Sequence, residues 1–328
     1  MPRIFVTRHI PSPGIELLKA IPSVTVDVYG EDQIIPRVEL LKGADGADII
    51  VSILTDKIDA ELFDTAGPQL KMVANYAVGF DNVDVAEAKK RGIIVTNAPT
   101  PEINESVAEH AIALIFALAH RIVETDQFTR DGKYHGWGPE MLLGTDVVGK
   151  TLGIIGGGAT GSELARRMRD GFGVTILYND VKPNPKFEAE FDASFRTKEA
   201  LLQESDIVSL HVPLLPSTMH LIDAKALAMM KPSAFLINTA RGPVVDEAAL
   251  VTALETKKLG GAGLDVFEGE PNIAADPAVA ERLRKLQNVV LTPHTASATV
   301  VTRAAMSRQV VKNIEQFLAG ETPENAVK

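Results

Sequence analysis

Thr151-Leu-Gly-Ile-Ile-Gly-Gly-Gly-Ala-Thr-Gly161 is the stretch that decides the fold of this chain. Its first five residues are typical of a buried strand, and three of the following glycines have the spacing G-x-G-x-x-G. Gly156 allows a tight turn, Gly158 lets a pyrophosphate approach the backbone, and Gly161 lets the next helix pack closely on the strand. The amide groups at the start of that helix, predicted over Ser162–Asp170, face the phosphates, where the helix dipole favours negative charge.

An acidic residue follows at the distance that a dinucleotide site requires. Asp180 lies 19 residues after Gly161, at the end of a second apolar run, Val174–Tyr178. A βαβ unit delivers the end of its second strand to the ribose of the dinucleotide. We therefore predict NAD as the cofactor, with NADH preferred over NADPH, because Asp180 repels a 2′-phosphate and Val181 offers no compensating cation.

Composition narrows the class of protein. The chain has 328 residues, enough for two domains, with 45% hydrophobic and 23% charged residues, as in ordinary globular proteins. Its net charge of −10 argues against a nucleic-acid partner, because binding to phosphates requires clustered Lys and Arg. The absence of cysteine excludes disulfides, thiolate nucleophiles and Cys-ligated metals, and we expect no metal site.

The sequence predicts no association with a membrane. Its longest apolar run, Ala111–Ala119, is far shorter than a membrane span and is typical of a buried helix. The segment Pro2–Thr7 resembles a first strand and has no apolar core of the kind found in secretory signals. We therefore expect a cytoplasmic protein.

Short apolar runs alternate with helical patterns along the chain, which predicts an α/β fold with parallel sheets. A helix over Ile103–Arg121, apolar on most of its circumference, is expected to be buried, and an amphipathic helix is expected over Thr299–Ala319. The predicted strands are Arg3–Thr7, Thr25–Tyr29, Asp48–Ile53, Met72–Asn75, Ile93–Thr96, Thr151–Ile155, Val174–Tyr178, Ile207–Leu210, Phe235–Asn238, Ala262–Val266 and Val289–Thr292.

Three polar residues follow strands of the second half, where the carboxyl ends of a parallel sheet form a ligand crevice. His294 can give or take the proton that accompanies hydride transfer to a carbon bearing oxygen. Glu270 can hold the imidazole and favour its charged form, and Arg241 can anchor a substrate carboxylate through paired donors. The other histidines are expected to be structural or surface residues: His9, His110, His120, His135, His211 and His220.

These residues lie in segments that resemble the signatures of the D-isomer-specific 2-hydroxyacid dehydrogenases. The matching segments extend over nearly the whole chain: Ala74–Asn82, Asn104–His110, Asn238–Glu247, Gly263–Pro271 and Leu291–Ser297. Three others most resemble the glyoxylate/hydroxypyruvate reductase branch: Thr7–Pro11, Leu54–Asp59 and Gly136–Pro139.

The resemblance implies two doubly wound parallel-sheet domains with a cleft between them. Residues 1–99 and 295–328 would form a flavodoxin-like substrate domain, and residues 100–294 a Rossmann nucleotide domain. It also implies a homodimer in which Trp137 reaches into the partner's active site, and it makes Arg241, Glu270 and His294 catalytic. Substrate contacts would come from Leu54, Val78, Gly79, Trp137 and Arg241. Cofactor contacts would come from Gly156, Gly158, Ala159, Thr160, Gly161, Asp180, Val212, Pro213, Thr218, Thr239, Ala240 and Asp265.

The leading hypothesis is NADH-dependent reduction of glyoxylate or hydroxypyruvate to the D-2-hydroxy acid, with His294 as proton donor. A D-lactate, 2-ketogluconate or phosphoglycerate dehydrogenase is the alternative within the family, although Arg8 is the only obvious extra cation for a phosphorylated substrate. A different class, a nucleotide-sensing protein like the C-terminal-binding-protein corepressors, also shares the expected fold. Turnover of a panel of keto acids separates these hypotheses.

Overall fold

The computed structural model describes residues 1–270 and 277–327. The chain divides into two compact units, Met1–Ile103 with Ala298–Lys328, and Asn104–Ser297. The strands, in chain order, are β1 Arg3–Val6, β2 Thr25–Val28, β3 Ile49–Ser52, β4 Met72–Asn75, β5 Ile94–Thr96, β6 Thr151–Ile155, β7 Thr175–Asn179, β8 Ser194–Phe195, β9 Ile207–Leu210, β10 Phe235–Asn238, β11 Gly261–Leu264 and β12 Val289–Leu291.

Helices alternate with these strands, as expected for parallel sheets. In chain order they are α1 Gly14–Ala20, α2 Arg37–Ala44, α3 Ala60–Ala66, α4 Val85–Lys90, α5 Pro101–Ala119, α6 Ile122–Arg130, α7 Ala159–Phe172, α8 Pro185–Phe191, α9 Lys198–Glu204, α10 Ala224–Met229, α11 Glu247–Glu255, α12 Pro277–Lys285 and α13 Val300–Leu318.

The first unit is built on a five-stranded parallel sheet in the order β2-β1-β3-β4-β5. This is the strand order of flavodoxin-like folds. The central strand β3 is apolar except for its last residue and fully buried, as required in a sheet that helices cover on both faces.

Helix α13 completes this first unit although it comes almost 200 residues later in the chain. It packs on α1 and β4 and buries Met306, Val310 and Ile314. Hydrogen bonds fix its position, since the Tyr76 hydroxyl donates to the carbonyl of Arg303 at 2.9 Å. The first sheet therefore depends on a segment from the other end of the sequence.

The second unit contains a seven-stranded parallel sheet in the order β12-β11-β10-β9-β6-β7-β8. Counted from β6, this is the doubly wound order 3-2-1-4-5-6 of Rossmann folds with one further strand. The chain reverses direction across the sheet between β6 and β9, and ligands bind at such switch points. The predicted fold class, two doubly wound α/β sheets, is confirmed.

Several predicted element boundaries were wrong by a few residues, each for a local reason. The helix expected over Ser162–Asp170 begins at Ala159, because Gly158 is already its N-cap. The helix expected to reach Arg121 ends at Ala119, since Arg121 adopts a left-handed φ of 53° and α6 begins after it. The two-residue strand β8 was not predicted.

No single helix in residues 1–270 and 277–327 is long and apolar enough to cross a membrane. By length and composition alone, α5 and α6 together match a membrane span, but they are bent by 59° at their junction.

Candidate active site

The glycine turn has the geometry that a dinucleotide requires. Gly156 has a φ of 101°, and a Cβ there would lie 2.7 Å from the carbonyl group of His211. A Cβ at Gly161 would overlap the carbonyl oxygen of Gly156, so this position needs glycine for the helix to pack on the strand. A Cβ at Gly158 would meet nothing within 4 Å. The second glycine thus leaves an open cradle at the start of α7, which fits a pyrophosphate.

Asp180 is fixed beside this turn. One carboxylate oxygen accepts the amide of Gly157 at 2.9 Å, and the other accepts the amide of Val181 at 2.7 Å. A carboxylate offers about four lone-pair sites, so both oxygens keep the capacity to accept ribose hydroxyls. The side chain of Val181 is exposed and carries no charge.

The hydroxyl groups among the other predicted cofactor residues are in different states. That of Thr160 donates to the side-chain oxygen of Asn104 at 3.1 Å, and that of Thr218 donates to the carbonyl of Pro213 at 2.7 Å, so both already have partners within the protein. That of Thr239 is buried and finds no partner within the described residues, which leaves a polar atom at the end of β10 for a ligand. The remaining predicted residues lie at the start of α7 or in turns after β9 and β10: Ala159, Val212, Pro213 and Ala240.

The structure brings His294 and Glu270 together. Nδ1 of His294 lies 2.7 Å from Oε2 of Glu270, while Oε1 of Glu270 accepts the amide of Phe267 at 2.9 Å. Both side chains are partly exposed, at 30% and 29%. Because the carboxylate engages Nδ1, the other ring nitrogen, Nε2, is the atom left for proton exchange with a ligand.

Asp265 supports the turn that carries His294. Its carbonyl accepts the amide of His294, and its fully buried carboxylate accepts the Thr292 hydroxyl at 2.6 Å and the amides of Thr295 and Ala296 at 2.8 Å each. Burial raises the pKa of this carboxyl, but the hydrogen bonds from neighbouring side chains and amides outweigh burial and hold it below its usual range. The predicted contact of Asp265 with the cofactor stays a prediction.

Arg241 lies in the turn after β10. Its Nη1 donates to the carbonyl of the preceding residue at 2.8 Å, and its own carbonyl accepts the side-chain amide of Asn238 at 2.9 Å. A Cβ on the next residue, Gly242, would overlap the backbone of Phe267. The loop of Arg241 therefore packs, backbone against backbone, on the loop that leads to Glu270. The motif that contains Arg241 also contains Gly242, but the sequence alone gave no reason to single out the glycine.

Glu268, two residues before Glu270, has two partners of its own. One oxygen lies 2.6 Å from Nε2 of His220, and the other accepts the amide of Glu247 at the start of α11. Glu268 therefore links its own loop to the turn of His220 and to the start of α11. The structural role expected of His211 also has a basis here. Burial lowers the pKa of His211 to about 4, so it is neutral at neutral pH.

The predicted substrate residues of the first unit follow β3 and β4. Leu54 comes two residues after β3 and is partly buried. The carbonyls of Val78 and Gly79 accept the side-chain amides of Asn97 at 2.7 Å and Asn75 at 3.0 Å, so the backbone of this loop is fixed.

Trp137 lies in the second unit, in the segment between α6 and β6, and is 81% exposed. It is therefore not an anchor that packs on its own subunit.

Comparison with known proteins places this chain in a family. The model of the D-isomer specific 2-hydroxyacid dehydrogenase NAD-binding domain matches residues 112–296. A glyoxylate reductase of Korarchaeum cryptofilum is 47% identical over 99% of this chain and 96% of its own length. That of Thermococcus litoralis is 46% identical with the same coverage.

Solved structures agree with the sequence comparison. An NADPH-dependent glyoxylate/hydroxypyruvate reductase of Sinorhizobium meliloti superimposes with a TM-score of 0.84 at 34% identity, covering 100% of this chain and 98% of that one. The D-lactate dehydrogenase of Escherichia coli gives 0.83 at 29% identity, covering 99% and 100%. The chain therefore belongs to the D-isomer specific 2-hydroxyacid dehydrogenase family, in the branch that contains the glyoxylate reductases.

Proposed function

We propose that this protein reduces glyoxylate or hydroxypyruvate to the D-2-hydroxy acid with NADH. The observation that carries the proposal is the His294–Glu270 pair at 2.7 Å, in the same unit as the dinucleotide turn. Bound NADH supplies the hydride. Protonated His294 donates the proton of Nε2 to the carbonyl oxygen as negative charge develops there, and Glu270 stabilises the imidazolium and fixes the ring through Nδ1.

The other residues bind and orient. Within the second unit, which we propose as the nucleotide domain, Arg241 pairs with the carboxylate of the keto acid through its planar fork. Within the first unit, proposed as the substrate domain, the backbone amides of Val78 and Gly79 bind the carboxylate of a keto acid, and Leu54 contacts the substrate.

The substrate is tested by the rate of NADH oxidation with glyoxylate, hydroxypyruvate, pyruvate and phosphohydroxypyruvate, compared as kcat/KM. The proposal expects the first two to be the best substrates. A clear preference for pyruvate or the phosphorylated acid would instead indicate another dehydrogenase of the family. Negligible turnover of all four, with NADH still bound, would favour a nucleotide-sensing binding protein.

Preference for NADH over NADPH is supported by the carboxylate of Asp180, fixed where a 2′-phosphate would approach, and by the uncharged Val181. The Sinorhizobium relative is NADPH-dependent by name, so the preference requires its own test. In the wild type, kcat/KM with NADH should exceed kcat/KM with NADPH. The ratio of the first value to the second should fall when Asp180→Ala removes the charge. Comparable values in the wild type would contradict the proposal, and Lys182→Ala would then test whether Lys182 binds the phosphate.

We also propose a homodimer. Exposed apolar side chains concentrate between α5 and β6, and a second copy of this chain would cover them: Ile122, Val123, Tyr134, Trp137, Met141, Leu143 and Val148. The proposal places Trp137 in the partner's substrate pocket. A cytoplasmic location and the lack of nucleic-acid and membrane partners stay predictions from the sequence.

A further inference from the structure

Helix α5 holds the turn around His294 at two points. Ser106 and His110 are four residues apart, so they lie on the same face of the helix. The Ser106 hydroxyl donates to the carbonyl of Ala296 at 2.7 Å, and Nε2 of His110 lies 2.9 Å from the hydroxyl of Thr292. The two contacts are on either side of His294 in the sequence.

The hydrogen bonds identify which nitrogen of His110 carries a proton. A hydroxyl has one proton to donate, and that of Thr292 goes to Oδ1 of Asp265 at 2.6 Å. Thr292 can therefore only accept from His110, so Nε2 of His110 is protonated. The same nitrogen lies 3.4 Å from Oδ1 of Asp265, which is also an acceptor. Donation thus runs from His110 to Thr292 and from Thr292 to Asp265.

Asp265 connects the hydrogen bonds of His110 and Thr292 to the backbone of His294. Its carbonyl accepts the amide of His294, and its carboxylate accepts the next two amides along the chain. His294 has a φ of 55°, in the left-handed region that residues other than glycine occupy only when their surroundings enforce it. The network around Asp265 provides these surroundings.

We propose that His110 is a positioning residue for the reaction, acting through Thr292 and Asp265 to fix the backbone of His294 and thus the direction of its imidazole. The inference rests on the proposed role of His294 as proton donor. His110 itself exchanges no proton with the substrate. The sequence predicts a structural role for this histidine, and positioning of His294 specifies that role.

Paired substitutions test the direction of donation. His110→Gln places an amide nitrogen near the position of Nε2, whereas the shorter His110→Asn cannot reach Thr292. In the same way, Thr292→Ser keeps the hydroxyl and Thr292→Val removes it at similar volume. We expect Asn and Val to lower kcat for keto-acid reduction by between about 10-fold and 100-fold, while Gln and Ser retain most of it. The KM for NADH should stay within about twofold in all four.

Glu109→Gln is the matched control, because Glu109 is the exposed neighbour of His110 on α5. It should leave kcat and both KM values unchanged. Equal activity of the Gln and Asn variants, or normal kcat in Thr292→Val, would overturn the proposal. A loss of thermal stability with normal kcat would mean that the contact is only structural.

A second readout does not depend on activity. In protein labelled with ¹⁵N-histidine, NMR should show His110 as the tautomer protonated at Nε2, and Thr292→Val should move the ring signals of His294. The opposite tautomer, or unmoved His294 signals, would contradict the proposal even in an active enzyme. Wild-type protein that reduces none of the keto acids would instead contradict the proposed function, while the NMR result would still judge the positioning.

Discussion

Glu270 is held from both sides, by the amide of Phe267 and by the imidazole of His294. His294 is held in turn through its backbone by Asp265. Donors and acceptors that are fixed before the reaction need no reorganisation when charge develops, and this is a main source of catalytic electrostatics. At the scale of single residues, proton transfer by the His294–Glu270 pair should therefore depend on the charge of Glu270 and not only on its shape.

Glu270→Gln removes that charge at almost constant shape. The protonated imidazole loses its counter-charge, so the alkaline fall-off of reduction should move to lower pH, and the acid limb of the reverse oxidation should move in the same direction. Profiles of kcat/KM against pH in both directions measure this. Glu268→Gln, the same change at the neighbouring histidine-bound carboxylate, should leave both limits in place. If the pH limits of Glu270→Gln do not move, His294 is the sole acid-base residue.

His294→Ala removes the proton donor itself. It should lower kcat/KM for reduction by about 10²–10⁴-fold at every pH.

Arg241→Lys keeps the charge but loses the paired donors of the guanidinium. A bidentate, charge-assisted contact with a carboxylate should be replaced by a single one, so we expect kcat/KM to fall by an amount equivalent to about 2–4 kcal/mol. Steady-state kinetics with glyoxylate measures this. Arg91→Lys, at a surface ion pair with Glu87, is the control that should change nothing. Near-normal kinetics of the Arg241 variant would make Arg241 a structural residue.

At the scale of elements, α7 contains two glycines with opposite requirements. A Cβ at Gly161 would overlap the Gly156 carbonyl, whereas a Cβ at Gly171 would meet nothing within 4 Å. Gly161→Ala should therefore destabilise the protein by about 1–3 kcal/mol and weaken NADH binding, since the helix must move away from the turn. Gly171→Ala should be neutral or stabilise by up to about 1 kcal/mol. Urea unfolding and NADH titration measure both, and similar behaviour of the two variants would contradict the close packing.

Regular elements of this chain could be predicted from sequence because each has a local signal. The apolar runs of β3, β9 and β10 are bounded by polar turns, and parallel sheets need such runs. The strand β8 is only two residues long and has no such pattern. The residues proposed for the site were chosen by motif and position, but the packing at Gly242 and the partners of Glu268 depend on loops distant in sequence. No local pattern encodes those contacts.

At the scale of the whole molecule, the apolar segment between α5 and β6 predicts an assembly of two chains of 35.2 kDa each. Leu143 is 64% exposed, so Leu143→Glu should place a charge in the interface and produce monomers in sedimentation equilibrium. Val38→Glu, at an exposed position on α2, should leave the dimer intact. Trp137→Ala should raise KM for keto acids more than twofold if it lines the partner's pocket. Wild-type protein of monomer mass would contradict the interface.

The late position of α13 in the sequence has a consequence for synthesis on the ribosome. The second unit is one continuous segment, Asn104–Ser297, and can fold as soon as it emerges. The first 103 residues leave the ribosome earlier, but β4 lacks its cover until α13 is made. At about 5–20 residues per second, the apolar face that α13 covers stays open for on the order of ten seconds or more. We therefore expect the part of this chain that is translated first to complete its fold last, and nascent chains to bind chaperones during that interval.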